Sequence, residues 1–103
     1  MQVLYLGTKK SDIRVIETPG MLKDLQKLVG GLIQPAAPVQ LREQGIELLV
    51  NEEGMIKNLD PNENLYPFFF VGPAVLVAFN GHDFIGLRDH QLMYLARWLR
   101  GLM

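Results

Sequence analysis

The spacing of apolar and polar residues changes several times along the chain, and each change marks an element. Val3 to Leu6 is a short apolar run closed by the polar turn Gly7-Thr8-Lys9-Lys10-Ser11. Ile13-Arg14-Val15-Ile16-Glu17 alternates well enough for a second strand, and the two form a hairpin. Thr18-Pro19-Gly20 ends it, with Thr18 as a helix N-cap and Pro19 at the favoured first helical position. Leu22, Leu25, Leu28 and Val29 then fall on one helical face, and Lys23, Asp24, Gln26 and Lys27 on the other. Gly30-Gly31 stops that helix, because a glycine adopts the left-handed conformation that helix ends use. A phosphate-cradling role for these glycines is outweighed, since phosphate loops precede a helix and these follow one.

Leu32-Ile33-Gln34 reads as a strand leaving the helix, and Pro35 to Gly45 as an irregular, Pro-containing connection. Ile46 to Val50 is a buried strand. Met55 to Leu59 alternates as its antiparallel partner, with Asn51-Glu52-Glu53-Gly54 as the hairpin turn and Gly54 supplying a positive φ. Asp60-Pro61-Asn62 is a further turn. Leu65 to Phe70 leads into Val71 to Phe79, the most β-prone segment, where Pro73 belongs at a bulge, an edge or the strand start. Asn80-Gly81 is a hairpin dipeptide, and Phe84-Ile85-Gly86 begins the return strand. A last helix runs from about Asp89 to Arg100. Leu92, Leu95, Ala96 and Leu99 share one face, and Gly101 caps it. The sum is an α+β fold: one domain with an antiparallel or mixed sheet of five to seven short strands and two helices packed on it, in the order β-β-α-β-β-β-β-α.

Three motifs in this pattern resemble those of a known family. They are Leu25-Gln26-Lys27-Leu28-Val29-Gly30-Gly31, Val50-Asn51-Glu52-Glu53-Gly54 and Leu59-Asp60-Pro61-Asn62. The chain resembles a family of small domains of unknown function found in bacteriophages, plasmids and the bacteria that carry them. Phe70-Val71-Gly72 and the helix entry Leu87-Arg88-Asp89 fit the same plan. Two features depart from it: the long Pro-rich connection from Pro35 to Gly45, and Arg88 where a helix-capping hydroxyl is expected. The resemblance implies an accessory protein of a mobile element and carries no catalytic residues with it.

Composition narrows the function classes. Hydrophobic residues make up 49% of 103 residues, enough to bury a core without staples and too many for disorder. The absence of cysteine removes disulfides, thiolate metal sites and cysteine nucleophiles. Ten basic residues against eleven acidic ones leave no broad positive field, which argues against non-specific nucleic-acid binding. Local basic patches remain at Lys9-Lys10 and at Arg97 with Arg100. The N-terminus does not read as a signal peptide. The apolar stretch Phe68 to Phe79 is far short of the roughly twenty residues that span a bilayer. A soluble cytoplasmic protein is the expectation.

Two clusters could carry chemistry. Glu52 and Glu53, beside Asn51, are adjacent carboxylates that could share a metal or act as acid and base if a turn makes them converge. A solvated turn is the simpler account. His82-Asp83 and Asp89-His90 hold both histidines of the chain, and two imidazoles with a carboxylate would make an open metal site. Their spacing matches no metal signature, and Asp89 reads more simply as the start of the last helix. Tyr94, Trp98 and Phe68-Phe69-Phe70 could stack bases, but at these spacings they read as core. No serine elbow, P-loop or dinucleotide fingerprint is present, and no cofactor is implied.

The sequence therefore points to a non-enzymatic binding module for a host protein or a small ligand such as a nucleotide, with homodimerisation open. Asn51, Glu52, Glu53, His82, Asp83 and His90 are its candidate ligand-binding residues. A small metal-assisted hydrolase and a nucleic-acid-binding regulator are the alternatives.

Overall fold

A computed structural model describes residues 1–102 of the chain. Its elements are β1 (Gln2–Leu6), β2 (Ile13–Glu17), α1 (Leu22–Val29), β3 (Ile33–Pro35), α2 (Val39–Arg42), β4 (Ile46–Asn51), β5 (Ala74–Phe79), β6 (Phe84–Ile85) and α3 (Asp89–Gly101). The strands form one open six-stranded sheet in the order β2-β1-β5-β4-β3. β6 pairs with β5 beyond the end of β1, and every pairing is antiparallel. The fold is α+β, as the sequence implies, with a third short helix.

β4 and β5 are central and covered on both faces, which is why they read as continuous apolar runs rather than alternating ones. On one face Leu4, Leu6, Ile46, Leu48, Val50, Leu76 and Ala78 pack against Leu41 of α2 and Leu95 and Leu99 of α3. On the other, Val3, Leu49, Val75 and Val77 pack against Leu25 and Val29 of α1. Trp98 and Phe70 pack against the first core and Phe68 stacks on Trp98 with ring centroids 5.8 Å apart, whereas Phe69, expected in the core, is 73% exposed.

Several expectations are corrected. No strand forms over Met55 to Leu59. β4 is already paired on one side with β3 and on the other with β5, so it has no edge left for a hairpin partner. Gly54 does not have a positive φ; Asn58 does, at 58°. Glycine is needed at 54 for space, since a Cβ there would lie 2.8 Å from Val71 Cγ2. Asp60-Pro61-Asn62 is not a simple turn but pairs with the chain around Val71. Asn62 donates its amide to the Phe70 carbonyl at 2.8 Å, and Gly72 donates to Asp60 at 2.7 Å.

α1 starts after Met21, not at Thr18, because Gly20 intervenes with φ 84°. The Asp24 carboxylate accepts from the Met21 amide at 3.2 Å and replaces the expected threonine cap. Gly30, at φ 82°, ends the helix as anticipated. The connection after Pro35 contains α2, and Gly101 lies inside α3 rather than capping it. At the other end of α3, Gln91 Oε1 accepts from the Arg88 amide at 2.9 Å, which makes a hydroxyl at 88 unnecessary.

Candidate binding cleft

A concave feature lies beside α3. This helix seats Leu95 and Leu99 on the sheet above β1 but does not reach across β2. Ile13 and Val15 point to the same face as Leu4 and Leu6, their register partners being Leu6 and Leu4, yet they remain 40% and 57% exposed. The gap is a cleft of about 580 Å³. Leu4, Ile13 and Val15 line the sheet side, while Leu92, Ala96, Leu99 and Leu102 line the helix side. Lys10, Glu63, Asn64, Tyr66 and Arg100 complete the lining with polar groups.

A network of asparagines fixes one wall. Asn62 is buried, and its Nδ2 donates to the Leu6 carbonyl at 3.1 Å and to the Gly72 carbonyl at 2.9 Å. Its Oδ1 accepts from the Asn64 amide at 3.0 Å. Asn64 in turn donates to the carbonyls of Gly7 and Lys9, at 2.8 and 2.9 Å, and accepts from the Ser11 amide at 2.8 Å. Glu63 Oε1 accepts from the Lys10 amide at 3.1 Å. The segment after Pro61 thus clasps the β1–β2 turn and sets Lys10 and Tyr66 at the cleft. A buried polar side chain with all its partners supplied is a rigid support.

The residues singled out from the sequence lie elsewhere. Asn51 is buried at the end of β4, where its Nδ2 donates to the Val29 carbonyl at 3.2 Å and its Oδ1 accepts from the Glu53 amide at 2.8 Å. It ties the end of α1 to the loop that follows β4. Glu52 is exposed, and Glu53 makes a 3.9 Å ion pair with Lys57. His82 and Asp83 occupy the β5–β6 turn, where Asn80 Oδ1 accepts from both their amides, at 2.8 and 2.7 Å.

His90 sits exposed in the first turn of α3, next to Gln91, whose Nε2 donates to the Gln44 and Gly45 carbonyls at 3.0 and 3.2 Å. That contact puts the start of α3 at the beginning of β4. The β5–β6 turn lies at the same end, because Ile46 pairs with Ala78. Glu52 and Glu53 follow the far end of β4, roughly 16 Å away at the usual rise per strand residue. The glutamates and histidines therefore do not share a site. Among the described residues no group of three or more His, Asp or Glu side chains could hold a metal ion.

In the sequence Lys10 and Arg100 belong to separate basic patches; the fold brings both to the cleft. Its signal was present but faint. β2 carries apolar side chains on both faces (Ile13 and Val15 on one, Ile16 on the other), unusual for an edge strand with one face solvated. Ala96 likewise puts a small residue on the apolar stripe of α3.

These features define a small α+β domain built on an open antiparallel sheet, with helices on both faces and an apolar cleft beside one edge. The chain belongs to the family described as the domain of unknown function DUF3846, whose model matches residues 1–100. Neither a curated protein nor a solved structure matches it. Among the described residues no helix is long and apolar enough to cross a membrane.

Proposed function

We propose that the protein is an accessory binding module of a mobile element, and that the cleft between β2 and α3 holds a small, largely apolar ligand. The observation that carries this reading is the cleft itself. Its 580 Å³ falls within the roughly 300–1,000 Å³ of small-molecule sites, and its lining is largely aliphatic with a few polar groups. Each CH₂ that a ligand buries there contributes about 0.8 kcal/mol. Lys10, Glu63 and Arg100 offer donors and acceptors to a hydrogen-bonding head group.

A nucleotide fits this lining less well. The cleft meets the side and the last turn of α3, from Leu92 to Arg100, and not the N-terminal amides that would favour a phosphate. Glu63 adds a carboxylate to the same rim. The motivation for a binding role over catalysis is that the acidic pair and the histidines, the groups best suited to chemistry, stand at opposite ends of β4.

Nile red, a neutral apolar dye, tests the proposal. Wild-type protein is expected to bind it with a blue-shifted emission. Ala96→Phe, which places an aromatic ring in the cleft from an exposed helix position, is expected to abolish binding with little change in Tm. Equal binding by both proteins would sink the reading. Native mass spectra showing only a host protein, and no small molecule, on chain isolated from a bacterial lysate would transfer the function to protein recognition.

A further inference from the structure

The two edges of the sheet are built differently. β3 is three residues long and ends in Pro35, two devices that blunt an edge against pairing. β2 is five residues long, pairs with β1 without a bulge and contains no proline. Its hydrogen-bonding phase can be read from the flanks. Gly7 donates to the Asp12 carbonyl at 2.8 Å, and Thr18 donates to the Met1 carbonyl at 2.9 Å. Bonded and non-bonded pairs alternate in an antiparallel ladder, so Arg14 and Ile16 bond inward to β1. Ile13, Val15 and Glu17 then point their backbone groups outward. Only the Ile13 amide is used, by the Ser11 carbonyl at 2.9 Å; among the described residues nothing pairs with the rest.

We propose that a second copy of this chain pairs with β2 antiparallel across a two-fold axis at Val15, joining two sheets into one of twelve strands. The outward-pointing groups select this register. Outward residues are all odd-numbered, so odd must meet odd: Val15 meets the second copy's Val15, and Ile13 meets its Glu17. The Val15 amides and carbonyls exchange two hydrogen bonds, and each Glu17 amide donates to an Ile13 carbonyl. Charge agrees with the choice. In this register Arg14 lies opposite Ile16 and Glu17 opposite Ile13, with no like charges directly opposed. A register centred on Arg14 would face two guanidiniums, which is unfavourable. One centred on Ile16 would leave Ile13 unused.

The axis stands perpendicular to the sheet, so both copies present the same face. Val15 of the second copy then lies beside Val15 at the open side of the cleft, and the two clefts meet along the axis. Exposed Ile13 and Val15 become interface. The pairing does not depend on what the cleft binds.

The chain has no cysteine, which makes single-cysteine probes clean. Directly bonded antiparallel partners have Cα atoms about 5.5 Å apart, within the roughly 4.4–6.8 Å that disulfides span. Oxidised Val15→Cys is therefore expected to form a covalent dimer. Arg14→Cys is not, because its copies are two residues out of register and about 8 Å or more apart. Sedimentation equilibrium of the wild type at micromolar concentration is expected to give twice the 11.7 kDa of one chain. Val15→Lys, which sets two ammoniums side by side, is expected to give 11.7 kDa with unchanged circular dichroism.

A monomeric wild type, or crosslinking as efficient through residue 14 as through residue 15, overturns the proposal. A monomer that binds Nile red removes the pairing and leaves the cleft reading. A dimer that binds nothing does the reverse.

Discussion

Asn62 is 3% exposed, and both ends of its carboxamide are engaged: Nδ2 by the Leu6 and Gly72 carbonyls, Oδ1 by the Asn64 amide. Its neighbour Asn64 spends its own side chain on the β1–β2 turn. Truncating Asn62 removes all three bonds, and each buried backbone group left unsatisfied costs about 1–3 kcal/mol. Asn62→Ala is accordingly expected to lower Tm by about 4–8 °C per kcal/mol lost, measured by calorimetry. The carboxylates of Glu52 and Glu53 behave oppositely. Glu53 pairs with Lys57 at 3.9 Å with both side chains nearly half exposed, the kind of surface pair that contributes about 0–1 kcal/mol. Glu52→Gln and Glu53→Gln are expected to leave unfolding free energy within about 0.5 kcal/mol of wild type in urea titrations. The motif Val50 to Gly54 thus divides. Asn51 and Gly54 hold structure, and the acidic pair between them does not.

At the scale of elements, the instructive failure is Met55 to Leu59. Its alternation satisfies the strand pattern, but a strand needs an edge, and β3 and β5 occupy both edges of β4. Denied a partner, the segment winds through turns, with Met55 and Ile56 left 69% and 84% exposed. The reverse occurs around α2, where an irregular connection was expected. Glu47 is buried, and Oε2 accepts from the Ala37 and Leu48 amides, both at 3.0 Å. Its Oε1 accepts from Arg42 Nε at 3.2 Å. One carboxylate thereby ties both ends of the α2 segment to β4. Hydrogen bonds to a charged group are worth about 1.5–3 kcal/mol each. Glu47→Ala is expected to cost at least one such bond, and to speed hydrogen exchange at the Ala37 amide while the β5 amides stay protected.

For the whole molecule, what sets behaviour is where coverage stops. Three helices protect both faces of the central strands, and α3 falls short of β2. That shortfall makes a cleft and leaves an unpaired strand edge in one place. If the edge joins a second copy, unfolding becomes linked to association. Tm of the wild type is then expected to rise with protein concentration, whereas Tm of Val15→Lys stays constant across the same range. Net charge near zero favours such association, since two copies carry little mutual repulsion.

Local periodicity was enough to place β1, β2, β4, β5, α1 and α3, and Gly30 was legible as a helix end, because a side chain's face and a glycine's φ are set by a few neighbouring residues. Membership of the DUF3846 family, over residues 1–100, is also a property of the sequence alone. Tertiary structure decided everything that depends on competition. It chose β3 and β5 over Met55 to Leu59 as partners of β4, buried Asn51 and Asn62 that read as turn residues, and separated the glutamates from the histidines along the length of a strand. It also stopped α3 before β2. Each of these outcomes compares contacts between segments far apart in the chain, and no local pattern encodes which of two suitable partners reaches an edge first.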